Sequence, residues 1–186
     1  MPHFALSAIG RDRPGIVAAV TGVLLGHGAN LEDSQMTILR GHFTMTLVVA
    51  LPNGADAERL RADLEAAARD LGLEAIALAQ VAEADPAAAS SEPSHIVTVY
   101  GTDHPGIVNS VAEALAAADV NITDLNTRLV GDDDAGAGAG DDLYAMMVEV
   151  ALPPGLSAGA LETLLEAIKR DQAVEVSVRE LEADAL

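Results

Sequence analysis

The chain contains itself twice, and that repeat constrains the fold more than any other feature. The run Ile9-Gly10-Arg11-Asp12-Arg13-Pro14-Gly15-Ile16-Val17 returns as Tyr100-Gly101-Thr102-Asp103-His104-Pro105-Gly106-Ile107-Val108, so Gly15 recurs at Gly106, an offset of 91. The same offset carries Asn30 onto Asn121. Further on, Phe43-x-Met45-x-Leu47-x-Val49-x-Leu51-Pro52 matches Tyr144-x-Met146-x-Val148-x-Val150-x-Leu152-Pro153, and Pro52 recurs at Pro153, an offset of 101. Ten residues therefore enter the second copy between these landmarks. They coincide with the Gly/Asp tract 131–140, which has no large apolar side chain to bury.

The 186 residues are thus read as two small domains rather than one of ordinary size. Residues 1–81 form the first and 95–181 the second, which carries an inserted Gly/Asp hairpin loop at 131–142. Residues 82–94 combine Pro, Ser, Ala and charge in the manner of an exposed linker. Residues 182–186 are a tail.

Within each copy the apolar periods alternate in a fixed order. Phe4 to Ile9 and Ile96 to Tyr100 are short runs that read as strands. Ile16, Val20 and Leu24, and in the second copy Ile107, Val111, Leu115 and Ala118, fall on one face of a helix. Pro14 and Pro105 suit the first helical turn, where the missing N–H is no loss. Gly28-Ala29-Asn30 and Asp119-Val120-Asn121 stop those helices. Two strands follow, about residues 31–40 and 42–51, joined by Gly41 as a hairpin whose second strand turns Phe43, Met45, Leu47, Val49 and Leu51 inward. Ala57, Leu60, Leu64 and Leu71, and in the second copy Leu161, Leu164, Leu165 and Ile168, mark another helix. Last strands run near 74–81 and 174–181. The order is βαββαβ, twice.

That order is an α+β arrangement of the ferredoxin-like kind, a four-stranded antiparallel sheet with two helices on one face. The other face of each sheet lacks a helix. Packing of one copy against the other as an intrachain pseudo-dimer is the expected cover.

Composition removes several function classes. Ten Lys and Arg against 29 Asp and Glu leave a formal charge of −19, which repels phosphate backbones, and two Tyr with two Phe offer little for stacking bases. Direct nucleic-acid binding and attachment to anionic membranes are disfavoured. Without cysteine there is no disulfide, thiol nucleophile or thiolate metal site. Residues 14–31 are 18 consecutive uncharged residues, yet Pro14, Gly15, Gly22, Gly26, His27, Gly28 and Asn30 interrupt them, so a membrane span is rejected. The start of the chain lacks the pattern of a secretory signal, and the expected location is cytoplasmic.

Chemistry concentrates in the two strand-to-helix turns. Gly10-Arg11-Asp12-Arg13-Pro14-Gly15-Ile16 and Gly101-Thr102-Asp103-His104-Pro105-Gly106-Ile107 each end a strand and start a helix, whose free N–H groups and dipole attract a carboxylate. Asp12 and Asp103 can cap the helix or take an ammonium group, and Asn30 and Asn121 offer an amide that both donates and accepts. Together these groups could grip both ends of an α-amino acid. The plainer alternative is that Asp and Gly build the turn, while Asn fills a left-handed position at a helix end. The five histidines show no paired metal-ligand spacing, and His104 is replaced by Arg13, a poor base. The aspartates at 132–134, 141 and 142 lack the spacing of an EF-hand loop. No nucleophile and base can be paired, so catalysis, cofactors and metals are not expected.

At these residues the sequence resembles the ACT-domain family. The resemblance rests on the Gly-x-Asp-x-Pro-Gly-Ile-Val runs, the Gly-Ala-Asn-Leu and Asp-Val-Asn-Ile junctions, and the strand pairs after them. The tandem arrangement is similar to the glycine cleavage system transcriptional repressor-like proteins. This implies a βαββαβ fold, side-by-side pairing, and small effectors, usually amino acids, at domain interfaces near the first strand-to-helix loop. Residue by residue, it implies ligand contacts at Asp12, Arg13, Pro14, Gly15 and Ile16, at Asp103, His104, Pro105, Gly106 and Ile107, and at Asn30 and Asn121.

The first half is also similar to the N-terminal region of formyltetrahydrofolate deformylases and to the ACT region of phosphoserine phosphatases, but no catalytic-domain motif accompanies it. The expectation is a non-enzymatic regulator that senses a small amino acid or related metabolite and signals to a protein partner, either a transcription factor or a metabolic enzyme. A homodimer is possible. The rivals are a ligand-independent adaptor and a relative of those enzymes.

Overall fold

The computed structural model describes residues 1–82, 92–130 and 143–181. Residues 83–91 of the expected linker 82–94, the insertion at 131–142 and the tail at 182–186 lie outside the described residues. The chain divides into two compact units, Met1–Asp85 and Pro86–Leu186.

The first unit runs β1 (His3–Arg11), α1 (Ile16–Gly26), β2 (Asn30–Leu39), β3 (His42–Ala50), α2 (Ala57–Leu71) and β4 (Leu73–Val81). The second repeats the order as β5 (His95–Thr102), α3 (Ile107–Ala117), β6 (Asn121–Val130), β7 (Leu143–Ala151), α4 (Ala158–Asp171) and β8 (Val174–Glu180). Each unit holds one antiparallel four-stranded sheet, in the orders β2-β3-β1-β4 and β6-β7-β5-β8. The βαββαβ reading is what the structure shows, twice.

Period-2 alternation and helical spacing meet in one core per unit. Phe4, Leu6, Ala8, Phe43, Met45, Leu47, Val49 and Leu78 point from the first sheet onto Ile16, Val20 and Leu24 of α1 and Leu60 and Leu64 of α2. Val97, Val99, Tyr144, Met146, Val148, Val150 and Val176 meet Ile107, Val111, Leu115, Leu161, Leu165 and Ile168 in the second. Leu164 is an exception to the expected face: at 43% exposure it lies on the solvent side of α4. Ala68, absent from the expected pattern, is buried on α2 beside Leu60 and Leu64.

Two details of chain reversal differ from expectation. The helices start at Ile16 and Ile107, after Gly15 and Gly106, whose φ values of 97° and 108° are not helical. Pro14 and Pro105 therefore sit in the turn before the helix and not in its first turn. A proline followed by a residue at φ near +90° and ψ near 0° matches the middle of a type II turn, which favours glycine at that place. The left-handed residues after the first helices are Gly28 and Asp119. Asn30 and Asn121 are the first residues of β2 and β6, so they do not fill a left-handed position.

The β2–β3 hairpin closes through Arg40 and Gly41, with φ of 49° and 81°. Positive φ at both central residues is the two-residue turn that matches strand twist. At the same end of the sheet, β1 and β4 approach so closely that a Cβ on Gly10 would lie 2.8 Å from Leu73 Cδ2 and 3.0 Å from Leu73 Cα. Gly101 repeats this against Val174, at 2.8 Å from Cγ1 and 3.2 Å from Cα.

Candidate functional site

The turns after β1 and β5 present helix starts of an unusual kind for this molecule. Helices α2 and α4 are capped by side chains: Asp56 accepts from the Arg59 N–H at 3.0 Å, and Ser157 accepts from the Ala160 N–H at 3.3 Å. Helices α1 and α3 follow Gly15 and Gly106 with no side-chain cap among the described residues. Their first N–H groups lack an intrahelical partner by construction, and the helix dipole places partial positive charge there.

Asp12 and Asp103, exposed on these turns, do not cap the helices. The Asp12 backbone N–H donates to the Gly41 carbonyl at 3.0 Å, which ties the first turn to the β2–β3 hairpin. Pro14 and Gly15, like Pro105 and Gly106, are exposed, while Ile16 and Ile107 are buried as the first core residues of their helices. A carboxylate facing an uncapped helix start, with an aspartate beside it for an ammonium group, is chemically reasonable at both turns.

Arg13 and His104 each make a contact inside their own unit. Arg13 Nη1 donates to the Leu71 carbonyl at 2.9 Å. His104 places Nε2 2.8 Å from the Gln172 carbonyl and Nδ1 3.3 Å from the Pro105 carbonyl. These two carbonyls, with the charge of Asp103 beside them, hold the His104 imidazole above its ordinary value of 6.5 against a smaller desolvation cost.

Asn30 and Asn121 are not brought to the turns of their own units. Asn30 pairs with Ala50, and Ala50 pairs with His3 at the start of β1, whereas the turn follows Arg11 at its end. Eight residue steps of strand separate the two ends, about 26 Å. Asn121, paired with Ala151, lies at the matching end of its sheet. A same-unit grip by Asp and Asn is thus ruled out by the sheet itself.

The second unit adds a polar group that the first lacks. Tyr144 stands where the first copy has Phe43, and its hydroxyl is buried without a hydrogen-bond partner among the described residues. Burial pushes the phenol up, and the Asp103 charge pushes it further. Thr127 lies near enough to offset part of this, though not in hydrogen-bonding geometry.

Sequence reasoning missed one other feature. A cleft of about 540 Å³ between the end of α1 and the start of α2 is lined by His27, Asp56, Arg59 and Asp63 among others. His27 Nε2 lies 2.8 Å from Asp63 Oδ2. The second copy has Ala118, Ser157, Ala160 and Leu164 at the matching positions, so no repeated signal marked it. Among the described residues, no group of three or more His, Asp or Glu side chains is placed to hold a metal ion. Among them too, no helix is long and apolar enough to cross a membrane, and the uncharged stretch at 14–31 is divided between α1 and the start of β2.

Comparison with known proteins agrees with this architecture. A family model described as ACT domain matches residues 3–77 and 95–133. A crystal structure of an unknown protein from Galdieria sulphuraria is 29% identical, covers 97% of this chain and 98% of its own, and superposes with a TM-score of 0.77. The structure of a proposed glycine cleavage system transcriptional repressor shares the fold, with a TM-score of 0.69 at 17% identity over 97% of each chain. The phosphoserine phosphatase SerB2 of Mycobacterium tuberculosis is 28% identical over 179 residues. That match takes in 94% of this chain and 40% of the phosphatase.

Proposed function

The chain belongs to the ACT domain family, and from that premise we propose that it is a non-catalytic regulator whose β1–α1 and β5–α3 turns bind a small amino acid and pass that state to a protein partner. The observation that carries this reading is the contrast among the four helices. The two that follow the Asp-x-Pro-Gly turns lack side-chain caps, while the other two have them. The uncapped N–H groups receive the effector's carboxylate, and Asp12 or Asp103 receives its ammonium group. Because Asn30 and Asn121 lie at the far ends of their own sheets, an asparagine facing either turn is supplied by an assembly of units and not by the turn's own unit. The effector then shifts the population of that assembly by no more than its difference in affinity between states. A charge of −19 directs any transcriptional role through another protein.

Thermal-shift and calorimetric screening of the intact chain against the twenty amino acids tests the reading. Binding at a hundredfold excess over Kd adds about 2.7 kcal/mol of stability. Asp12→Asn and Asp103→Asn are expected to weaken binding. Silence of the intact chain to every amino acid, or a response that both variants leave intact, would refute it.

One observation favours the adaptor reading as the second choice. All ten residues of the edge strand β2 are exposed, among them Leu31, Met36, Ile38 and Leu39. An open strand edge with apolar side chains is suited to a protein partner. Stoichiometric capture of one partner, equal with and without amino acids, would favour it over sensing.

A further inference from the structure

Arg13 and His104 make the same contact with different chemistry. Leu71 is the last residue of α2 and Gln172 follows the last residue of α4. The two tethered carbonyls are 101 positions apart, as the second-helix repeat requires, and the two donors are 91 apart, as the turn repeat requires. The contact therefore belongs to the fold, and each copy solves it separately. Its physical basis is the end of a helix, where the last carbonyls lack intrahelical donors and the dipole is negative, so a cation is favoured.

An arginine answers that demand at any pH in which the protein survives, whereas a histidine does so only while protonated. The surroundings of His104 accentuate this. Both ring nitrogens face carbonyl oxygens. Neutral imidazole has one N–H and can satisfy one of them, while the imidazolium satisfies both. Asp103 faces the ring from its own turn, Tyr144 of β7 lies near Asp103, and the last turn of α4 carries Lys169, Arg170 and Asp171. The anchoring residue is itself held, since Gln172 Nε2 donates to Ser110 Oγ at 3.1 Å, where the first copy has Leu71 and Ala19.

We propose that Arg13 and His104 are positioning residues that tie each strand-to-helix turn to the end of the second helix, and that histidine makes the second tether responsive to pH while the first is constant. The sign follows from the protonated form being the better tether. The full contact is present below the ordinary histidine value of 6.5 and is lost as pH rises through the elevated folded value. Above it the Nε2–H bond to Gln172 survives, while the Nδ1 bond and the charge are lost, so the turn loosens without detaching. In so far as these turns receive the effector, which rests on the functional reading above, the second site is the pH-dependent one.

NMR of the full chain from about pH 5 to 9 tests this, spanning the range in which a histidine titrates. The His104 ring should titrate above 6.5. The Gly106, Ile107 and Ala173 amides should move with the same midpoint, while those of Gly15, Ile16 and Gly72 do not. His104→Arg should abolish that midpoint, and Arg13→His should install one at Ile16 and Gly72. His104→Gln, uncharged throughout, should also abolish it and serves if the arginine variant fails to fold. Titration of His104 at or below 6.5, or a midpoint that persists at Gly106 in both His104 variants, overturns the proposal. Glycine, the smallest molecule with both an ammonium and a carboxylate, then probes the site. Shifts at Gly106 that weaken as pH rises, and do so less in His104→Arg, support the coupled regulation. A titrating tether in a chain that glycine leaves unmoved supports the tether alone and counts against the functional reading.

Discussion

The two units make the same backbone from different residues. After α1 and α2 the first unit places Gly28 and Gly72, both at φ 67°, whereas the second places Asp119 at 57° and Ala173 at 50° in the matching positions. The turn after the second strand diverges too, from a two-residue Arg40-Gly41 reversal to an insertion of ten residues. Conformation at the helix ends is thus dictated by the packing of strands and helices around them. The residue's own preference is met in one copy and overridden in the other. The cost is carried locally, because the cores on either side are alike.

The largest test of that likeness is in the cores themselves. Leu60 and Leu161 occupy equivalent helix positions and are both fully buried. Truncation to alanine removes the packed side chain and leaves a cavity, at about 2–5 kcal/mol each. Denaturant unfolding should show each loss in a transition of its own unit, of similar size. A loss below 1 kcal/mol at one of them would break the equivalence.

Next in size is the close approach of the first strand to the last. Gly10→Ala and Gly101→Ala insert a methyl group 3.0 and 3.2 Å from a backbone Cα, and each should cost about 1–3 kcal/mol. The first unit should suffer at least as much as the second, since its backbone contact is the shorter and cannot rotate away. The reverse order in chemical unfolding would show that the stiff Val174 side chain governs the site instead.

How much of this was legible follows from what period and repeat can encode. The alternation Phe43, Met45, Leu47, Val49 and the helical set Ile16, Val20, Leu24 specify faces, and all of them are buried as read. Leu164 departs from the expected face because the leucine pair at 164 and 165 satisfies two adjacent faces, and only packing decides which is inward. The start of α1 is not legible to the residue because proline at a first helical position and proline before a left-handed glycine look alike in sequence. Of the site, the two turns were visible from their duplication. The use of Arg13 and His104 was not, since their acceptors are backbone carbonyls 58 and 68 residues away. Backbone carbonyls leave no residue-type signature. The separation of Asn30 from Asp12 was implicit in strand direction: a chain that crosses the sheet once on a strand and returns on a helix ends where it began.

A smaller effect is expected at Ala173. A left-handed alanine costs roughly 1–2 kcal/mol, and glycine returns part of that gain as unfolded-chain entropy. Ala173→Gly should therefore stabilise the second unit by about 0.5–1 kcal/mol, and Gly72→Ala should destabilise the first by a similar amount. A calorimetric Tm that falls on Ala173→Gly would mean that the methyl group packs favourably enough to outweigh its strain.

The smallest effect belongs to Asp119 and Gly28. Aspartate visits the left-handed region more readily than alanine because its short polar side chain can bond to nearby backbone, so little strain is released when it is removed. Glycine's added freedom in the unfolded chain opposes what remains, and Asp119→Gly should change stability by no more than about 0.5 kcal/mol in either direction. In the first unit Gly28→Asp meets the same tolerance, with the new Cβ 3.4 Å from Pro52 Cγ. It should cost little more than about 0.5 kcal/mol, well below the loss at Gly72→Ala. Equal and larger losses at Gly28→Asp and Gly72→Ala would show that the first unit demands glycine at both helix ends. The overriding of residue preference would then be a property of the second unit alone.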